Sequence, residues 1–386
     1  MKNKNKKSRV VRRKTKKRNK WALILIPLLV IAVGIGIYAM QIINQAEEIM
    51  DSSYEDDGRE KSDLREERVD PNVDDVSILF IGVDESEKRG TDTNGRSDAL
   101  ILATLNKDEN SVDLLSIPRD SYVFVPEIAT EDGYKGGYET KINHAHALGG
   151  PQASIQTVEN LFDIPVDYFV KVNFDAFVDV VDTLNGIDVE VPYEMTEQDS
   201  DDQAGAIHLM PGEQTLDGEE ALALARTRKQ DNDIERGKRQ QEIIKAIVNK
   251  AVSFNSVLKV DDLMTAVGDN MSTNMSFDEL KSFISYGSTG NLDLESHNLA
   301  GVDRWGEAYY YDIDPTDLEE KQQMLKEQLG LSSSDSSEES NTDEPTQEEQ
   351  GESESDVTEE DSWETNPEEN GQSETWTPEE DRNSAY

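Results

Sequence analysis

From Trp21 to Met40 the chain reads WALILIPLLVIAVGIGIYAM, without a single charge. That stretch limits everything on either side of it. About twenty helical residues at ~1.5 Å each cross a ~30 Å hydrocarbon core. Pro27, Gly34 and Gly36 are tolerated in membrane helices, and Trp21 and Tyr38 sit where interfacial aromatics belong. Twelve of the twenty residues Met1–Lys20 are Lys or Arg, so the N-terminus is expected in the cytoplasm and everything after Gln41 outside. A cleaved signal peptide has a shorter apolar region ending in small residues, so the span reads as an uncleaved anchor. Abutting it, the basic block is a topology signal and an anionic-lipid contact rather than a nucleic-acid patch. Membrane lipid is therefore an expected partner and nucleic acid is not.

The remaining segments follow from composition. Residues 41–75 are polar and read as a juxtamembrane stalk. Residues 76–331 carry the periodic apolar patterns of one extracellular domain. Residues 332–386 are acidic, rich in hydroxyl side chains and poor in aliphatics, too poor to offset ordering entropy, and read as disordered. The chain has 386 residues and no cysteine, which excludes disulfides, thiolate nucleophiles and Cys-based metal sites. With only four histidines, a multi-His metal site is disfavoured.

Within the domain, apolar runs predict strands at 77–83, 99–105, 111–118, 167–174 and 187–192. Amphipathic periodicity predicts helices at 153–162, 176–184, 218–225, 234–253, 277–286 and near 317–329, with Asp217 as the N-cap of the third. Strands alternating with helices imply an α/β fold, a mixed central sheet flanked by helices on both faces.

Chemistry concentrates at the element ends. Leu222–Gln240, LALARTRKQDNDIERGKRQ, gathers Arg226, Arg228, Lys229, Arg236, Lys238 and Arg239 in a chain of formal net charge −44. Guanidinium forks match phosphate or carboxylate oxygens and stay charged at any working pH. The cluster is either an anion site or an internal ion-pair network. Asp84 ends the first strand, Arg96 and Asp98 precede the second, and Arg119 and Asp120 follow the third. Arg226 and Arg228 point the same way in extended geometry, and Arg236 and Gln240 share a helix face. Recurrence at strand ends favours a pyrophosphate site. There the arginines, with Lys141, neutralise the diphosphate, and Asp84 and Asp98 hold a hard divalent cation. Lys229, Lys238 and Arg239 read as surface charges. His144 and His146 lack a third zinc ligand, and residues 197–205 lack the spaced ligands of a calcium loop.

These motifs resemble the LytR-CpsA-Psr family. The resemblance rests on ILFIGVD, NGRSDALILATLN, LLSIPRDSYV, KINHAHALGG, TVENLFDIPVDYFVKVNFDAFVDVVDTLNGIDVEVP and PGEQTLDGEEALALARTRK…DIERGKRQQEII, in order from Val76 to Val252. It implies a LytR-CpsA-Psr-like domain and a phosphotransferase. The implied reaction moves a glycopolymer (wall teichoic acid, capsule or similar) from undecaprenyl diphosphate to the C6 hydroxyl of N-acetylmuramic acid in peptidoglycan. It implies Mg2+ (or Mn2+) at Asp84 and Asp98. It implies diphosphate binding by Arg119, Lys141, Arg226, Arg228, Arg236 and Gln240, with Asp233 an acidic residue of the same site. Asp84, Asp98, Arg119 and Asp233 are the candidate catalytic residues, and the general base stays open among the three aspartates. An apolar cavity for the lipid would draw on Phe162, Phe177, Val181 and Ile247. The alternative is a non-catalytic polyprenyl-phosphate-binding attenuator of envelope genes. The acidic tail lies outside the resemblance and reads as a solvated spacer.

Overall fold

A computed structural model describes residues 52–84, 95–130, 132–253, 270–288 and 292–331. The expected basic tail, membrane span, first part of the stalk and acidic tail lie outside the described residues. Among the described residues, no helix is long and apolar enough to cross a membrane.

The first strands, β1 (Val76–Val83), β2 (Ser97–Asn106) and β3 (Ser111–Ser116), form from the three apolar runs. Two small hairpin pairings follow, built from β4 (Tyr122–Val125), β5 (Ile128–Thr130), β6 (Gly133–Lys135) and β7 (Tyr138–Lys141). Next come α1 (Asn143–Phe162), β8 (Tyr168–Val172), α2 (Phe174–Thr183) and β9 (Ile187–Val191). The middle of the chain holds β10 (Met195–Glu197), β11 (Ile207–Leu209), β12 (Gly212–Leu216), α3 (Gly218–Arg226) and α4 (Asp233–Ser253). The last described elements are β13 (Met271–Thr273), α5 (Phe277–Ser288), β14 (Asp293–Asn298), β15 (Gly301–Trp305), β16 (Tyr309–Ile313) and α6 (Pro315–Gln328).

The central sheet is six-stranded and mixed, in the order β13-β8-β1-β2-β3-β14. β1 runs antiparallel to β2 and parallel to β8, β2 runs antiparallel to β3, and β3 runs parallel to β14. Side chains alternate across it. Leu79, Ile81, Leu102 and Leu115 pack with Val158 and Phe162 of α1 and Leu325 of α6 on one face. Ile78, Ile101, Ala103 and Leu114 pack on the other with Ile244 of α4 and Leu280 of α5. Each large side chain so buried contributes roughly 1.5–3 kcal/mol, and cover on both faces explains why the strands read as near-continuous apolar runs.

The expected helix at 153–162 proves to be the second half of α1, which starts ten residues earlier in sequence, at Asn143. The halves meet at a kink where Gly150 adopts φ 63°, ψ −151°, a backbone region closed to other residues, and Pro151 follows. Helix α3 is capped as expected: Glu220 N–H donates to Asp217 Oδ1 at 3.0 Å, and Asp217 N–H donates back to Glu220 Oε2 at 3.1 Å.

Two expectations change. The described part of the stalk is seated on the domain. Arg59 donates to both oxygens of Glu159 (3.0 and 2.9 Å), Ser62 Oγ donates to Glu159 at 2.6 Å, and Arg65 pairs with Asp167 at 2.8 Å. The proposed lipid lining also divides: Phe162 belongs to the α1 face of the sheet, whereas Phe177, Val181 and Ile247 pack around β9, β12 and α3.

Candidate functional site

Strand polarity decides where the chemistry gathers. Because β2 is antiparallel to β1 and β3, its first residues lie beside the last residues of both. Asp84, Ser97–Asp98 and the loop after Ser116 therefore share one edge of the sheet, the edge at which α/β folds place ligands. The parallel partner strands β8 and β14 end at the same edge.

Helix α4 starts against this edge. Gly237 lets it approach, since a Cβ there would strike the Ser116 side chain. One turn on, the fully buried Gln241 donates to the carbonyls of Leu114 and His297, both at 2.7 Å, locking the helix to β3 and β14. Neither residue was singled out from sequence; a glycine beside an arginine in a helix interior, costing about 1 kcal/mol against alanine, was the available signal.

Held this way, Arg236 is 5% exposed and its Nη2 donates to the Asp98 carbonyl at 3.2 Å. The same nitrogen lies 2.6 Å from Asp233 Oδ1, one turn away, but off the hydrogen-bonding direction. Arg228 reaches the same oxygen at 3.9 Å. Arg119, across the edge, donates to the Asp98 carboxylate, and its Nε lies 3.5 Å from Asp120. Asp120 in turn accepts from Lys141 Nζ at 2.6 Å.

The charges do not balance in comfort. Burial foremost, then repulsion from Arg119 and Arg228, pushes the Arg236 guanidinium below its ordinary range against the opposing pull of Asp233. For Arg119, burial opposes the charge but Asp98 and Asp120 outweigh it, and its affinity for the proton rises. Arg119 Nε, Arg236 Nε and both Asp233 carboxylate oxygens are buried without an aligned hydrogen-bond partner among the described residues. Buried polar atoms rarely remain so. Three guanidinium groups, two of them with idle donors, make a receptor for an anion with several oxygens.

The other expected residues fall around this centre with different tasks. Arg226 ends α3 and stacks over Phe174, 4.5 Å from the ring centroid. Gln240 donates its amide to the Ala225 carbonyl at 3.1 Å, tying α4 to α3. Asp84 and Asp98 sit on neighbouring strand ends and offer hard oxygen donors, a set that suits a small divalent cation sharing its remaining ligands with phosphate. Among the described residues, a separate group, Asp113, Glu295 and His297 on the β3–β14 pair, also brings three ligand atoms within 4.8 Å. His144 Nδ1 shares a hydrogen bond with Thr140 Oγ1 at 2.8 Å, and His146 Nδ1 donates to the Gly95 carbonyl at 2.7 Å, so the two histidines serve loop anchoring.

One reading is corrected. Arg239 is no surface charge: it is 8% exposed. Its Nε donates to the Leu224 carbonyl at 3.1 Å, Nη2 to the Thr227 carbonyl, and Nη1 to Asp231. Pinned by it, the loop between α3 and α4 presents Arg228 to the site. Lys229 and Lys238 are exposed, on Glu197 and Glu235.

The chain's relatives are consistent. The family model described as the LytR_cpsA_psr family matches residues 37–327. The polyisoprenyl-teichoic acid–peptidoglycan teichoic acid transferase TagT of Bacillus subtilis (strain 168) is 39% identical over 327 residues, covering 83% of this chain and 98% of the relative. An uncharacterised Staphylococcus aureus protein is 37% identical over 319 residues, 81% of this chain and 76% of its own. The solved structure of TagT bound to LIIa-WTA superposes with a TM-score of 0.58 at 38% identity, covering 70% of this chain and 97% of that one. TagT with bound octaprenyl pyrophosphate lipid gives 0.54 at 36% identity, with the same coverage.

Proposed function

The chain belongs to the LytR_cpsA_psr family, and from that premise we propose that it is a membrane-anchored transferase moving a glycopolymer from a polyprenyl-diphosphate carrier to a peptidoglycan hydroxyl. The observation that carries this reading is the convergence of Arg119 and Arg236, each with a buried Nε that lacks an aligned partner, with the more exposed Arg228 on Asp233. Its relatives act on polyprenyl-linked teichoic acid or bind a prenyl pyrophosphate, by their names and titles.

In the proposed reaction the acceptor hydroxyl attacks the phosphorus that carries the glycan. A new O–P bond forms, the bridging O–P bond of the diphosphate breaks, and polyprenyl phosphate leaves. Such transfers are accelerated mainly by positioning and charge neutralisation. Arg236 and Arg119 hold the non-bridging oxygens, and Arg228, on its loop, follows the charge that grows on the leaving phosphate. Lys141 holds Asp120 and through it the Arg119 side chain. Asp84 and Asp98 would hold Mg2+ (or Mn2+), which when bound supplies Lewis-acid stabilisation of the phosphoryl oxygens. Asp233, whose oxygens lack an aligned donor, accepts the hydrogen bond of the acceptor hydroxyl and is our choice of base. N-acetylmuramic acid C6 is the proposed acceptor position, and wall teichoic acid the first donor to try.

The test is reconstitution of the full chain with a polyprenyl-diphosphate glycan, Mg2+ and peptidoglycan oligomers. Release of polyprenyl phosphate with labelled glycan entering the oligomer is expected. Tight lipid binding without transfer from any wall-polymer donor would replace this reading with the non-catalytic attenuator.

A further inference from the structure

The hairpin β15–β16 displays aromatic surface that nothing in the core or the arginine site explains. Trp305 is 78% exposed. Isolated apolar side chains on a surface are ordinary, whereas grouped aromatics facing a site mark recognition.

The two faces of the hairpin do different work. On the back, Arg304 lies 4.3 Å from the Tyr122 ring centroid and 4.7 Å from that of Tyr310. Those two rings meet edge to face at 5.0 Å, and Arg304 pairs with Asp312 at 2.9 Å. Tyr311 anchors the hairpin from within: its N–H donates to the Asp120 carbonyl at 2.9 Å and its hydroxyl to the Leu299 carbonyl at 3.0 Å. The front is open. Trp305 and Tyr309 are directly paired across the strands, their ring centroids 4.8 Å apart and tilted by 51°.

The hairpin adjoins the arginine site. Lys141 Nζ, which grips Asp120 beside Arg119, is 5.8 Å from the Tyr309 centroid and 5.6 Å from that of Tyr310. The Tyr309 hydroxyl donates to Asp303 at 2.8 Å, placing a polar rim along the aromatic pair. The hairpin also carries Asp303, Glu307 and Asp312 against the single cation Arg304.

We propose that the Trp305–Tyr309 face of this hairpin is the binding platform for the sugar rings of the acceptor glycan, seating a peptidoglycan strand beside the diphosphate held by Arg119 and Arg236. The proposal rests on the transferase reading above. A pyranose ring offers a C–H face to a flat aromatic and a hydroxyl rim to flanking acceptors, and Trp with Tyr supplies both with little ordering cost. Acidic rim residues accept hydroxyl hydrogens and repel an anionic lipid surface. The diphosphate goes to the arginines, and the sugar faces of the acceptor go to the hairpin. One unbroken chain of contacts joins the two places.

The test uses the full-length chain carrying W21F, W363F and W376F, which leaves Trp305 as the sole tryptophan, reconstituted in nanodiscs of phosphatidylcholine and phosphatidylglycerol. An uncrosslinked N-acetylglucosamine–N-acetylmuramic acid tetrasaccharide should change the Trp305 emission saturably. Tyr309→Ala should weaken that response at least tenfold, and in the transfer assay Trp305→Ala should raise the acceptor KM at least tenfold with donor-lipid affinity unchanged. Emission already blue-shifted without glycan and quenched by brominated lipid would make this a bilayer-contact face and overturn the proposal. So would an unchanged acceptor KM in an active Trp305→Ala enzyme, which leaves the transferase reading standing. Saturable glycan binding in a chain that transfers nothing would instead overturn that reading and spare this one.

Discussion

Arg236 and Arg239 sit three residues apart on one helix, both buried, and opposite roles follow from their partners. Arg239→Met should cost about 4 kcal/mol of folding stability. The estimate starts from Asp231, whose side chain is 13% exposed beside an Arg239 side chain at 9%. Stranding one member of a buried pair costs ~3–5 kcal/mol, and the lower end applies because Asp231 keeps the Tyr193 hydroxyl at 2.6 Å. The carbonyls of Leu224 and Thr227 also lose their donor, adding roughly 1 kcal/mol between them once water relaxes in. Asp231→Asn added to Arg239→Met removes the stranded charge and should return about half the loss. Arg236→Met, by contrast, removes a charge that burial and two neighbouring arginines already disfavour. It leaves the buried Asp233 to Arg228 alone, 3.9 Å away, so the loss should be about 2 kcal/mol, half that of Arg239→Met, while binding of a prenyl pyrophosphate collapses. Urea unfolding followed by circular dichroism measures both, as midpoint shifts at unchanged slope. If Arg239→Met loses less than about 1 kcal/mol, or Arg236→Met loses as much as Arg239→Met, the division between a structural and a ligand-binding arginine is wrong.

Three further outcomes are expected. Glu159→Gln, which strips a buried carboxylate of Arg59 while Ser62 and the Val166 N–H (2.9 Å) lose their ionic acceptor, should cost about 2–3 kcal/mol and expose residues 52–75 to limited proteolysis. Arg228→Ala should change stability by no more than about 0.5 kcal/mol, because its side chain is 44% exposed and only 3.9 Å from Asp233; isothermal titration should show at least tenfold weaker binding of a prenyl pyrophosphate. Burial first, then Arg96 and Lys141, holds the His144 imidazole below its usual range against the pull of Asp120. The unfolded chain therefore binds the proton more readily, so the stability from this group is complete above the unfolded value near ~6.5 and is lost as pH falls through the folded one. His144→Gln should flatten the stability profile across that window, and an unchanged acid-side slope would refute the assignment.

How much of this was legible in the sequence depends on whether a local signal existed. β1, β2 and β3 are apolar runs covered on both faces, and α2 to α5 carry one-sided apolar periodicity, so burial wrote them into the pattern. β14, Asp-Leu-Glu-Ser-His-Asn, did not announce itself, because an edge strand is half solvated and takes its place by parallel pairing with β3. The first half of α1 was hidden by Gly149-Gly150-Pro151, which read as a loop and is a kink. In the site, Asp84, Asp98 and Arg119 were legible as polar residues abutting apolar runs. Arg236 and Arg239 were not separable: both follow Asp233 within two helical turns, and only the loop folding back between α3 and α4 supplies Arg239 with carbonyls and Asp231.

The loop after β3 ties the arginine centre to the aromatic hairpin. Its Asp120 gives its carbonyl to Tyr311 and its carboxylate to Lys141, while the neighbouring Arg119 grips Asp98. In the proposed reaction an oxyanion at Arg119 competes with Asp98 for the same guanidinium. If that binding changes glycan affinity at the hairpin, glycan must change affinity at the arginines by the same factor. The proposed transfer, which holds a phosphorus and a hydroxyl in line, gains from such a junction, since misplacing either partner by about 1 Å can cost ~100-fold in rate. The burial of Asp120, 6% exposed between a cation on each side, gives the junction its rigidity.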